Sequence, residues 1–164
     1  MDNKNLYEKI GELLIAHDFT IAFAESATAG RLSADFSLIE DAGKFLKGGV
    51  VCYDACIKED MLHVDHELIE KYTPESMEVT EAITYGLSKI IKADIHIGVT
   101  GLTCPGGSES ESKPVGTMFI YGSFQGAPIF AERIKFDGNK LEIISATVSH
   151  CATLLYRYLQ SISR

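Results

Sequence analysis

The sequence predicts an α/β fold: a three-layer α/β/α sandwich around a mixed, mostly parallel sheet of about five strands. Three observations predict it. Helical and strand-like apolar patterns alternate through the first two thirds of the chain, as expected of parallel strands with helices covering both faces. Two strand-like runs, 115–121 and 129–136, then follow each other with no helix between them, so an antiparallel neighbour joins the sheet. The 164 residues are about one domain in length, and no repeat, low-complexity tract or linker divides them. Residues 1–164 are therefore read as a single domain.

The elements follow in order. Leu6, Ile10, Leu13 and Leu14 recur at helical spacing with Glu8, Lys9 and Glu12 between them, which predicts an opening amphipathic helix. Phe19 to Ala24 is short, apolar and rich in β-branched and aromatic residues, as a buried strand should be. It runs into the small residues of Glu25 to Gly30 and then a helical stretch from Arg31 to Ile39. Gly48-Gly49 introduces a second strand, Val50 to Tyr53, and Cys56 to Leu62 reads as a short helix. Pro74 precedes a helix from Ser76 to Ile91, with Val79, Ile83, Leu87, Ile90 and Ile91 on one face. Asp94 to Thr100 is a third strand ending in Gly101. Thr103 to Lys113 has no periodicity and reads as a loop. The last two strands join around Gly126-Ala127-Pro128, and Asn139 to Leu159 is a long closing helix.

Composition narrows the function. Hydrophobic residues make up 46% and charged residues 23%, which excludes a disordered chain, a collagen-like one and a coiled-coil rod. With 15 Lys+Arg against 23 Asp+Glu the net charge is −8. An acidic chain without a local basic patch repels a phosphate backbone, so no nucleic-acid partner is expected. No apolar run approaches the roughly 18 residues that cross a bilayer, so no membrane partner is expected either. Met1 to Glu8 is polar and mixed in charge, unlike a signal peptide. Cys52, Cys56, Cys104 and Cys151 lack CxxC spacing, so reduced thiols and a cytoplasmic location are expected. His63 and His66 form an HxxH near Asp60 and Asp65, but no third ligand accompanies them and no metal site is expected.

Open α/β sheets bind ligands outside the carboxyl ends of their strands. That rule selects Glu25 to Gly30, Tyr53 to Lys58 and Thr100 to Lys113. Ser26 stands at a strand-to-helix turn, where unpaired backbone N–H groups could stabilise an oxyanion while its hydroxyl attacks an acyl carbon. Ala27, Ala29 and Gly30 leave room for close approach. The alternative is that Ser26 or Thr28 is only the helix N-cap, and local sequence alone favours the cap. No GxSxG, GxGxxG or GxxxxGK[ST] occurs in the chain. His17, His63, His66, His96 and His150 form no evident triad, so Lys58 is the candidate base, provided burial lowers its proton affinity. Tyr53 could orient that amine. Against this, Lys58 could be a solvated lysine and Tyr53 a rim aromatic. Cys104, before Pro105-Gly106-Gly107, is a second candidate nucleophile, and Lys113 closes a loop suited to a substrate lid or phosphate contact.

Taken together, AESATAG at Ala24 to Gly30, KGGVVCY at Lys47 to Tyr53 with Lys58 five residues on, GVTG at Gly98 to Gly101, PGG at Pro105 to Gly107 and KPVGT at Lys113 to Thr117 resemble the CinA C-terminal domain family, also known as nicotinamide-nucleotide amidohydrolases. The resemblance covers nearly the whole chain. It implies a three-layer α/β/α fold and hydrolysis of nicotinamide mononucleotide to nicotinate mononucleotide and ammonia. It further implies a serine–lysine amidase needing no cofactor, with Ser26 as nucleophile and Tyr53 and Lys58 assisting. Substrate contacts are expected at Ala27, Thr28, Ala29, Gly30, Gly101, Cys104, Gly106, Lys113 and Lys140, with the phosphate against the backbone of Thr28 to Gly30. The expected partner is a small-molecule nucleotide, and a homo-oligomer is left open.

The chain also departs from the family pattern. Ala27 and Ala29 replace a common cysteine and glycine, Leu102-Thr103-Cys104 replaces IAG, and Tyr53-Asp54-Ala55 replaces Tyr-Ser-Asn. Pro74-Glu75-Ser76 stands for VSE, and Gly138-Asn139-Lys140 for GDR, which keeps a cation without arginine's bidentate fork. These departures motivate the alternative of a catalytically inactive paralogue that binds a nucleotide or serves as an interaction domain.

Overall fold

The amphipathic opening segment folds as α1, Asn3–Ala16, and packs Leu6, Ile10 and Leu14 into the interior. In this computed structural model, which describes residues 3–163, five strands and six α-helices follow the predicted alternation. β1 (Ile21–Glu25), α2 (Arg31–Ser37) and β2 (Leu46–Val51) precede the two short helices α3 (Ala55–Asp60) and α4 (His66–Tyr72). Then come α5 (Met77–Ile90), β3 (Ile95–Gly101), β4 (Thr117–Phe124), β5 (Ala127–Lys135) and α6 (Lys140–Ile162).

The strands form one sheet in the order β2-β1-β3-β4-β5. β1 is parallel to both β2 and β3, β4 is antiparallel to β3, and β5 is antiparallel to β4, so only β4 runs against the rest. Side chains of β1 alternate between two cores, as a strand's pleat requires. Ile21 and Phe23 meet α1, α2 and α6 through residues such as Leu32, Phe36 and Leu155. Ala22 and Ala24 face Val79, Ile83 and Leu87 of α5 with Ile69 of α4. These are the two helical layers of the sandwich. The second layer sits close because its sheet face is small: a Cβ on Gly98 would fall 2.8 Å from the Thr80 carbonyl oxygen of α5.

Three boundaries differ from expectation. β2 begins at Leu46 and passes through Gly48-Gly49 instead of starting after them. Gly49 lies so near β1 that a Cβ there would approach the Phe23 carbonyl oxygen to 2.5 Å, so the glycine permits strand pairing rather than a turn. α4 is not foreseen by periodicity: it has seven residues and buries only Ile69, though the Asp65 side chain caps it by accepting from Glu67 N. The β4–β5 turn is Gln125-Gly126, with φ of 49° and 85°, the backbone of a two-residue hairpin. Ala127 and Pro128 therefore belong to β5, an edge strand where proline is tolerated.

Because β1, β2 and β3 run parallel, Glu25, Val51 and Gly101 end at the same edge of the sheet. All three sequence-selected segments leave from that edge.

Candidate active site

The turn after β1 is organised by a residue that the sequence did not single out. Glu25 is fully buried. Its Oε2 accepts from Thr28 Oγ1 (2.8 Å), Gly30 N (3.1 Å) and Leu32 N (2.9 Å), and its Oε1 accepts from Ser33 N and Ser33 Oγ, both at 2.8 Å. A buried carboxylate is stabilised only by such a full set of donors. It takes over the capping of α2, whose N-cap position, Gly30, has no side-chain cap bond. Neither Ser26 nor Thr28 is the cap, so that alternative is overturned. The chain reverses through consecutive left-handed residues, Ala29 (φ 50°) and Gly30 (φ 93°), and the Ala29 methyl costs about 1 kcal/mol in that conformation.

Ser26 is anchored on the next strand, its N–H donating to Val99 O at 3.0 Å. The amides of Ala29 and Gly30 are already engaged, by Ser26 O and by Glu25. Of the stretch expected to meet a phosphate, Thr28 to Gly30, two amides are therefore engaged within the turn and one, that of Thr28, is not. The N–H groups of Ala27 and Thr28 have no partner among the described residues, which leaves them free to receive an oxyanion.

Lys58 reaches this turn from α3. Asp54 caps that helix by accepting from Cys56 N at 2.9 Å. The lysine is 1% exposed, and its Nζ donates to Cys52 O (2.9 Å), Tyr53 O (3.4 Å) and Ser26 Oγ (3.1 Å). Burial holds its proton affinity below that of an ordinary lysine, opposed by Cys52, Glu75 and Asp54. Burial also lifts the Cys52 thiol to about 11, so it stays neutral and the two carboxylates are the actual opposing charges. Lys58 is no surface lysine.

Tyr53 follows β2 instead of ending it, and it is 56% exposed. It touches Lys58 through its carbonyl, while its hydroxyl accepts from Lys140 Nζ at 3.4 Å and its ring lies 5.8 Å below that ammonium. The phenol therefore does not orient the lysine amine; it carries Lys140 at the rim.

A cleft of about 210 Å³ opens over the serine, bounded by Ser26, Ala27, Tyr53, Glu75 and residues 101–107. Gly101 and Gly106 line it as expected, and so does the exposed Cys104. Gly101 is needed for packing, since a Cβ there would meet Met118 Sδ at 2.4 Å and Thr117 O at 2.7 Å. Lys113 does not line the cleft. Its Nζ donates to Glu75 O (2.8 Å), Ser108 Oγ (2.7 Å) and Thr73 Oγ1, tying the 103–113 loop to the α4–α5 junction. Ser108 also bonds the Glu75 carboxylate. Glu75, like Glu25, was missed by sequence reasoning; the available signal was an acid just before Ser76, the N-cap of α5. His66 pairs with Glu59 at 3.0 Å. No group of three or more His, Cys, Asp or Glu able to hold a metal occurs among the described residues, and no described helix is long and apolar enough to span a membrane.

The site is thus a serine held against a buried lysine, at the carboxyl edge of a three-layer α/β/α sheet. The chain belongs to the CinA C-terminal domain family, whose profile matches residues 3–159. A CinA-like protein of Desulfotalea psychrophila is 33% identical over 158 residues, which is 96% of this chain and 38% of that protein. One from Prochlorococcus marinus is 33% identical over 165 residues, 99% of this chain and 39% of its own length. The chain therefore spans well under half the length of these relatives. A CinA superfamily protein of Klebsiella pneumoniae has the same fold, with a TM-score of 0.91, 25% identity and coverage of 98% of this chain and 99% of its own. The competence damage-inducible protein A of Klebsiella pneumoniae subsp. pneumoniae superposes with a TM-score of 0.90 at 26% identity, covering 96% of each chain.

Proposed function

We propose that this domain is an amidohydrolase that converts nicotinamide mononucleotide, or a close relative, to nicotinate mononucleotide and ammonia. The observation that carries the reading is the 3.1 Å bond between Lys58 Nζ and Ser26 Oγ in a buried setting. A lysine that loses its proton more easily than usual can accept the serine proton.

Ser26 Oγ attacks the carboxamide carbon as its proton passes to neutral Lys58. The oxyanion forms beside the N–H groups of Ala27 and Thr28. When the tetrahedral species collapses, the C–N bond breaks and Lys58 returns the proton to nitrogen, releasing ammonia. Water, deprotonated by the same amine, then cleaves the Ser26 ester and frees the acid. This chemistry needs no metal or organic cofactor. Lys140, held on Tyr53 at the cleft rim, is the cation best placed for the nucleotide phosphate, and Lys113 is occupied elsewhere.

The test is ammonia release from nicotinamide mononucleotide by the purified protein. Ser26→Ala is expected to lower it about a thousandfold or more with the fold intact; undiminished release would exclude this nucleophile. The second reading is a ligand-binding domain without turnover. It draws on Ala29, whose methyl occupies a left-handed position in the nucleophile's own turn. That reading expects a mononucleotide to raise the melting temperature with no ammonia formed.

A further inference from the structure

Two acidic residues close backbone donor sets around the cleft, and they do so differently. Glu25 is buried and holds the α2 amides permanently. Glu109 is exposed and lies on the PGG loop. Its Oε1 accepts from Gly106 N and its Oε2 from Gly107 N, each at 2.8 Å. Successive N–H groups that converge in this way form a concave anion site. Gly106 has φ of 101°, a conformation suited to glycine, and both glycines line the cleft that contains Ser26. The same N–H contacts, led by Gly106, hold the Glu109 carboxyl below its ordinary range. A carboxylate of this chain therefore sits where an external anion would be received.

We propose that Glu109 is a specificity-determining residue: it occupies an anion nest of Gly106 and Gly107, and an anionic group on the substrate must displace it to bind there. The kinetic part and the choice of anion rest on the amidohydrolase reading; the nest and its occupation by Glu109 do not. The anion class is a phosphate monoester. Displacement is accessible because Glu109 returns to solvent rather than to an apolar interior. Several neighbouring donors are already committed, which leaves Lys140 at the rim and the Gly106-Gly107 nest as the cation and the backbone site open to a phosphate once Glu109 leaves. The Ala29 and Gly30 amides are bonded within the turn, and Lys58 and Lys113 are committed to other partners.

The experiment uses the whole chain with Glu109→Ala, and with Glu111→Ala as the control. Glu111 is an exposed acid of the same loop with no hydrogen bond among those described, so removing it changes the charge equally without emptying the nest. Titration with inorganic phosphate, followed calorimetrically, is expected to show about tenfold tighter binding for Glu109→Ala than for the parent, and little change for Glu111→Ala. Ammonia release should show kcat/KM for the mononucleotide rising about tenfold relative to the corresponding nucleoside without phosphate, through KM. Equal gains in both variants, or unchanged phosphate affinity in folded Glu109→Ala, overturn the proposal. Tighter phosphate binding with no ammonia from either substrate supports the nest and instead defeats the amidohydrolase reading.

Discussion

The turn after β1 and the loop after β3 bound the same cleft but are built on opposite plans. The turn is anchored on the fully buried Glu25, whose carboxylate stitches it to donors from Thr28 to Ser33, and it presents Ser26 against Lys58. The loop is largely exposed, closes on its own Glu109, and is tied down at its far end by Lys113 and Ser108. A nucleophile must be held within a fraction of an ångström of its base. A wall that recognises ligand can exchange an internal contact for an external one. The difference separates the part that carries chemistry from the part that can be retuned.

The largest test of that contrast is Glu25→Ala. It leaves five donors without their acceptor, those of Thr28 and Leu32 fully buried, so folding stability is expected to fall by about 3 kcal/mol or more, with ammonia release lost. Denaturant unfolding beside the activity assay checks it; a variant as stable and active as the parent would show that the turn needs no carboxylate.

Next in size is the pH dependence. Since burial lowers the proton affinity of Lys58, the rate is expected to rise as pH increases through a midpoint below the ordinary lysine value of about 10.4. Below that midpoint the ammonium form cannot take the serine proton. Glu75 favours the charged amine, so Glu75→Gln should move the acidic limb of kcat/KM to still lower pH. A limb that stays put, or moves up, removes Glu75 from the field acting on Lys58. The stability linkage has a definite sign as well. The depressed amine costs stability at low pH, and that cost is relieved as pH climbs from its folded value toward its unfolded one.

The smallest effect is expected at the loop tether. Lys113→Met leaves Ser108 as the loop's remaining tie to Thr73 and Glu75, so KM should rise several-fold while kcat changes less than about twofold. Hydrogen exchange across 104–112 should quicken. A kcat loss as large as the KM change would mean that the loop positions the reacting groups and is no mere wall.

Much of the fold was legible because it rests on long apolar periods. α1, α5 and α6 each bury a regular face, and β1 is a run of small and large apolar residues. α4 was not, because seven residues burying one isoleucine carry no period. Ser26 and Lys58 were candidates from their places after β1 and β2, but local sequence alone favoured a helix cap and a solvated lysine; the family resemblance singled them out, and in the structure they lie 3.1 Å apart. Glu25, Glu75 and Glu109 were not, because their partners are backbone amides, hydroxyls and a cleft that exist only once the chain has folded. Lys113 misled for a related reason. A long flexible stem lets an ammonium span from its own loop, at Ser108 Oγ, to a carbonyl distant in sequence, Glu75 O, and so turn away from the cleft.

The position of β1, second from one edge of the sheet and fourth from the other, has a consequence for how the molecule breathes. Fraying begins where backbone groups lack a neighbour, and β5, the outer strand of the β4–β5 hairpin, is the longer of the two sheet edges. That strand can unzip while β3 still clamps Ser26 N through Val99 O. The reactive centre is separated from that outer edge by two strands, so the Gln125-Gly126 turn and the solvent face of β5 can accumulate changes of sequence or length without disturbing the serine, whereas the opposite edge, β2, leads straight into the Cys52 and Tyr53 carbonyls that hold Lys58.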